Sequence, residues 1–139
     1  MKISILNGPN LNLLGKREPE IYGSKSFEEF LEELIERFPQ VTFEYFQSNH
    51  EGALIDKMQS LNNIADGIIL NAAGYSHSSI ALADTIAAIN TPVVEVHISD
   101  IHKREDFRRH SYTALYAKHM ITGHGLEGYA EAVEFLLHM

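Results

Sequence analysis

The chain has 139 residues, 45% of them hydrophobic and 22% charged, with a net charge of −8 and no cysteine. That length suits one compact domain over residues 1–139, and the missing cysteines exclude a disulfide framework, a thiolate nucleophile and every Cys-ligated metal site. The acidic balance argues against a nucleic-acid or anionic-membrane partner. No apolar run approaches the ~20 residues of a membrane-spanning helix. Met1–Asn7 turns polar too early for a signal peptide, so a cytoplasmic protein is expected.

In chain order, apolar runs alternate with helical patterns. The expected strands are Ile3–Asn7, Val41–Gln47, Gly67–Asn71, Val93–His97 and His119–Thr122. Several are apolar almost without interruption, as strands covered on both faces are. Ser26 to Glu29 reads as a capping box whose helix stops at Pro39, and Ser48 to Glu51 reads as a second box. Ser78 or Ser79 caps a helix over Ile80–Ile89, and Glu127–His138 supplies the last. This alternation predicts an α/β fold, a doubly wound, flavodoxin-like, five-stranded parallel sheet of order 2-1-3-4-5. Two long connections interrupt it, Gly8–Lys25 and Ser99–Lys118. The second gathers His102, Lys103, Arg104, Arg108, Arg109 and His110, readable as a solvated helix face or as local positive potential for an acidic ligand.

Ligands of open α/β sheets bind beyond the carboxyl ends of the strands. Strand one ends at Asn7 and runs into Gly8, Pro9 and Asn10; strand three ends at Asn71. Strand four carries Glu95 and His97 two residues apart, hence on one face. Two ionisable groups inside a sheet are costly unless paired or functional, which suggests a general acid/base histidine held by a carboxylate, or a satisfied structural pair. Ser76–Ser79 reads as a polar helix start suited to an anion or to hydroxyls. The Gly123–Gly128 run matches G-x-G-x-x-G but has no acidic residue ~20 positions on, so it reads as turn glycines.

The block Asn7 to Pro19 (NGPNLNLLGKREP), the Tyr22-Gly23 pair, Asn71, His77-Ser78-Ser79, Glu95 to Ser99 (EVHIS) and Arg104 to Ser111 (REDFRRHS) together resemble the type II 3-dehydroquinate dehydratases. The resemblance spans nearly the whole chain. It departs from the family pattern at Ala72, where proline is common, at Ala83, where arginine is common, and at Asp100, where asparagine is usual. It implies an anti elimination of water from 3-dehydroquinate to 3-dehydroshikimate through an enolate, with no metal or organic cofactor. It implies Tyr22 as general base, Arg17 as its activating cation, His97 as general acid, Glu95 as the orienter of His97, and Asn10 as holder of a water at the enolate oxygen. Asn71 and the backbone of Ile98 and Ser99 match the carboxylate-binding positions, and His77 and Arg108 those that contact ring hydroxyls. Asp84 matches an acidic residue that reaches a neighbouring subunit's site in homotrimers assembled into dodecamers.

These residue types suit that chemistry. A proton alpha to a ketone is weakly acidic, so its removal needs a strong base and a stabilised oxyanion. Tyrosine is a strong base only as phenolate, which a nearby cation favours. Gly15 and Gly23 bracket a stiffer middle, the character of an active-site lid over about 14–24. The rival readings are a flavodoxin-like nucleotide- or phosphate-binding module without turnover, and a structural oligomer without a site.

Overall fold

The computed structural model describes residues 1–16, 20 and 24–139. The strands are β1 (Lys2–Asn7), β2 (Thr42–Gln47), β3 (Gly67–Asn71), β4 (Val93–His97) and β5 (His119–Thr122). The longer helices are α1 (Phe27–Arg37), α2 (Glu51–Leu61), α3 (Ile80–Ala88) and α4 (Glu127–Leu137). All pairings are parallel and the order is β2-β1-β3-β4-β5, the topology expected from the sequence. The central strands β1, β3 and β4 are buried almost throughout, whereas the edge strands β2 and β5 are only partly so. The continuous apolar runs therefore belong to the strands covered on both sides.

Side-chain alternation divides the core into two layers. Ile3, Ile5, Ile69, Val94 and Val96 face α1 and α4, meeting Phe27, Phe30, Leu34, Tyr129 and Val133. Leu6, Ile68, Leu70 and Val93 face α2 and α3, meeting Leu54, Met58, Leu82 and Ile86. The bidentate contact of Arg37 with Glu127, at 2.9 and 2.7 Å, joins α1 to α4. Exposed on the surface, it adds at most about 1 kcal/mol.

The first capping box forms as read: Glu29 N–H donates to Ser26 Oγ at 3.2 Å, and Ser26 N–H donates to the Glu29 carboxylate at 3.3 Å. The second does not. His50 occupies the cap position of α2 without a side-chain bond. Ser48 Oγ instead accepts from His50 N–H at 3.0 Å, and the Glu51 carboxylate accepts from Ser79 Oγ. Ser79 also caps α3 by accepting from Leu82 N–H at 2.9 Å. A tertiary bond between two helix starts has displaced the local one.

The turn out of β1 depends on a missing side chain. A Cβ on Gly8 would lie 2.6 Å from the Ala72 carbonyl oxygen, while Gly8 N–H donates to the Asn71 carbonyl at 2.8 Å. The ends of β1 and β3 touch there, backbone to backbone. We expect Gly8→Ala to cost about 1–3 kcal/mol in urea unfolding, because that backbone has nowhere to move. Gly52→Ala is expected to gain about 0.5–1 kcal/mol, since open space surrounds that helical position.

Candidate active site

The carboxyl ends of β1, β3 and β4 surround a cavity of about 180 Å³ lined by Asn10, Asn71, His77, His97, Ile98, Ser99, Arg104 and Arg108, among others. It lies beside the boundary where the strand order reverses, as the topology predicts. Asn10, Asn71 and His97 thus meet in one place. Arg17 and Tyr22 lie outside the described residues. Asp84 sits on the exposed face of α3 and does not line this cavity.

Glu95 has no exposed surface and His97 is 5% exposed. His97 Nε2 lies 2.6 Å from Glu95 Oε2, so the ring donates its Nε2 proton to the carboxylate and only Nδ1 remains for a bound molecule. Ser111 Oγ donates to the same oxygen at 2.6 Å, and Thr113 Oγ1 donates to Oε1. Burial alone would push the Glu95 carboxyl upward. The hydrogen bond and charge of His97, with the two hydroxyl donors, outweigh that and hold it below the ordinary value. Sequence reasoning missed Ser111 and Thr113 as partners of Glu95, because nothing at a separation of 16 or 18 residues marks such a contact.

His77 reaches the cavity from the 3-10 turn Ala73–His77, its ring centroid 6.0 Å from that of His97. Its Nδ1 lies 2.6 Å from the His110 carbonyl, which can only accept, so Nδ1 carries the proton. Burial pushes the imidazole below its usual value, leaving Nε2 an acceptor at neutral pH. His110 Nε2 returns the bond to the His77 carbonyl at 2.9 Å, and Tyr112 N–H donates to the Ser76 carbonyl at 2.8 Å. The loop after β4 is thereby stitched to the turn after β3.

Ser76 and Ser79, read in the sequence as part of a polar helix start, do not line the cavity and have partners within the protein. Ser76 Oγ donates to the Ala73 carbonyl at 2.9 Å, and Ser79 is committed to capping α3 and to Glu51. The cationic run is not a helix but a series of 3-10 turns, and it divides. Arg104 and Arg108 line the cavity, while Arg109 turns outward to Asp106 at 3.0 Å. Arg104 donates to Ser99 Oγ at 3.0 Å, and Arg108 Nε sits 2.6 Å from Glu105 Oε2 as a charge contact off the hydrogen-bond direction. Gly123 and Gly125 are turn glycines with φ of +82° and +62°, and their N–H groups donate to the His97 and Ile98 carbonyls at 3.2 and 3.0 Å. Among the described residues, no group of three or more His, Asp or Glu side chains is gathered to hold a metal ion.

The depressed Glu95 carboxyl has a consequence for acid stability. Below its unfolded value of about 4.5 the unfolded chain takes up a proton that the folded one refuses, so this contribution is complete above 4.5 and lost as pH falls through the folded value. Thermal melts over a pH series are expected to show Glu95→Gln less stable than the parent at pH 7. Its melting temperature should also fall less steeply on acidification below 4.5.

The sequence model of the family described as Dehydroquinase class II matches residues 1–137. A 3-dehydroquinate dehydratase of Halothermothrix orenii is 50% identical over 140 residues, covering 99% of this chain and 95% of that protein. A second, from Chlorobaculum tepidum, is 48% identical, covering 96% of this chain and 91% of that protein. Among solved structures, the type II dehydroquinase of Butyrivibrio crossotus superposes with a TM-score of 0.95 at 42% identity, covering 99% of this chain and 97% of that one. With the fold, the strand-end cavity and these matches in agreement, the chain belongs to the class II dehydroquinases.

Proposed function

We propose that this chain converts 3-dehydroquinate to 3-dehydroshikimate, the lyase step of its family in the shikimate pathway, by anti elimination of water through an enolate. The observation that carries the reading is the 2.6 Å contact of His97 Nε2 with the buried Glu95 carboxylate, in the wall of the cavity, which leaves Nδ1 as the ring nitrogen open to a bound molecule and a proton donor when the ring is an imidazolium.

In this mechanism the Tyr22 phenolate removes a proton alpha to the substrate ketone, with Arg17 favouring the phenolate. That assignment rests on the resemblance of the Arg17–Tyr22 segment to the family. The electron pair moves to the ketone oxygen, where Asn10 holds a water against the enolate. The enolate then collapses as His97, an imidazolium whose Nε2–H stays on Glu95, gives its Nδ1 proton to the departing hydroxyl; the carbon–oxygen bond breaks to release water and the ring is left neutral. Hydroxide is a poor leaving group, so an acid placed at that oxygen carries a large share of the rate.

Asn71 and the backbone at Ile98 and Ser99 take the substrate carboxylate. His77 Nε2, an acceptor because Nδ1 carries the proton donated to the His110 carbonyl, accepts a hydrogen bond from a ring hydroxyl, and Arg108 donates to the ring hydroxyls. Arg104 and Arg108 give a protein of net charge −8 the local positive potential that an anionic substrate needs. Asp84, exposed on α3, serves a neighbouring subunit's site within homotrimers assembled into dodecamers. The chemistry calls for no metal or organic cofactor. The working protein is one cytoplasmic domain over 1–139, and residues 14–24 are its lid, a role read from their sequence. No described helix is long and apolar enough to cross a membrane.

Incubation with 3-dehydroquinate should produce the ultraviolet absorbance of a conjugated enone, whereas a nucleotide-binding module without turnover gives none. His97→Ala is expected to lower kcat by roughly 10²- to 10⁴-fold with an unchanged circular dichroism spectrum. Tyr22→Phe should be comparably inactive; retention of most turnover would assign the base to another residue.

A further inference from the structure

Asn71 is 3% exposed, and the bonds around it fix the direction of its amide. Ala73 N–H can only donate, so the Asn71 atom 3.1 Å from it is the oxygen. Asn71 Nδ2 consequently faces the Tyr129 hydroxyl and donates to it at 3.0 Å. The single hydroxyl proton of Tyr129 goes to Asn7 Oδ1 at 2.7 Å, which leaves Asn7 Nδ2 to donate to the Tyr45 hydroxyl at 3.2 Å. One backbone N–H thus orders four side chains drawn from β1, β2, β3 and α4. Burial pushes the Tyr129 hydroxyl far above its ordinary value and the Tyr45 hydroxyl up to about 12, so Tyr129 stays a neutral phenol at every pH of interest.

An amide nitrogen carries two protons. Tyr129 takes one from Asn71, so for an acceptor in the cavity it lines Asn71 has a single N–H to give. Tyr129 itself has no exposed surface and does not line that cavity. We infer that Tyr129 is a positioning residue for ligand binding, its hydroxyl locking the Asn71 amide so that one N–H is aimed at an anionic acceptor, the substrate carboxylate. The inference rests on the assignment of Asn71 to substrate binding made above. With the hydroxyl removed, the buried amide proton loses its partner and the side chain is held by the Ala73 N–H alone, so its remaining N–H is aimed less firmly. The groups that move protons are untouched, so the damage falls on binding and not on the chemical step.

Tyr129→Phe isolates the hydroxyl, since the ring keeps its edge contact with Phe27 at 4.9 Å between centroids. A hydroxyl that served only the core would lower the melting temperature on removal and leave KM alone. Steady-state kinetics with 3-dehydroquinate on the parent, Asn71→Ala, Tyr129→Phe and the double variant separate the possibilities. We expect Tyr129→Phe to raise KM about tenfold with kcat within about twofold. Asn71→Ala should raise KM at least as much, and adding Tyr129→Phe to it should raise KM no further. An unchanged KM in Tyr129→Phe beside a raised KM in Asn71→Ala overturns the inference and leaves Asn71 as a binding residue. An unchanged KM in Asn71→Ala overturns that assignment and the inference with it. Should Tyr129→Phe fail to fold, Asn7→Ala, which keeps the tyrosine but removes the acceptor of its proton, is judged by the same shift in KM alone and in combination with Asn71→Ala.

Discussion

A carboxylate without exposed surface cannot remain charged unless the protein replaces its water shell, and much of the site follows from how Glu95 meets that demand. Its oxygens take three donors, His97 Nε2, Ser111 Oγ and Thr113 Oγ1. Each hydroxyl has one proton, so when both serve the carboxylate the 3.0 Å contact between Ser111 and Thr113 carries none. Three donors suit an acceptor-only group, which makes the ionised form the one the surroundings are built for. The same demand fixes the imidazole: Nε2 must carry a proton, and only Nδ1 is left open to a bound molecule. It also fixes the loop after β4, because Ser111 and Thr113 can reach Glu95 only if residues 104–113 fold back across the cavity. That return brings Arg104 and Arg108 to its wall.

The sheet separates two polar systems. Asn7 and Asn71 continue the alternation of Ile3, Ile5 and Ile69, on the face covered by α1 and α4, and so meet Tyr129. Glu95 and His97 continue the alternation of Val93, on the face of α2 and α3, where the Ala73–His77 turn lies. The Asn71 amide and the His97 imidazole can therefore be oriented by separate hydrogen-bond systems. Only beyond the strand ends, where no sheet intervenes, do the two face the same cavity.

The parts of this arrangement legible in sequence were those with a local signature. The buried strands announced themselves as unbroken apolar runs, and β4 spans Val93–His97 as read. The pairing of Glu95 with His97 was legible because two positions apart on a strand means one face. What escaped depended on contacts between distant segments. Ser48 and Glu51 have capping-box spacing, yet Glu51 is drawn away by Ser79, 28 residues on. Tyr129 sits on the apolar stripe of α4 among Ala130, Ala132 and Val133 and resembles any core aromatic. Its hydroxyl acquires a task only when Asn7, 122 residues earlier, closes against it. For Arg17 and Tyr22 no local pattern points to a role, and the one read for them in the sequence is implied by the family resemblance alone.

Strain at the end of β3 completes the connection between these systems. Ala73 adopts φ +53°, a left-handed conformation that costs a residue with a side chain on the order of 1–3 kcal/mol. Relaxing it would swing its N–H away from Asn71 Oδ1 and release the bond that sets the direction of the whole Asn71–Tyr129–Asn7 chain. It would also move the turn that returns His77 to within 6.0 Å of His97. The turn is held on the other side by contacts that do not involve Ala73: Gly8 packed against Ala72, and the reciprocal His77–His110 bonds. A backbone gripped from both sides can keep an unfavourable dihedral, and the favourable contacts that grip it are those that orient the site. The left-handed turn is thus where the amide network on one face of the sheet and the histidine system on the other are joined through a single rigid backbone.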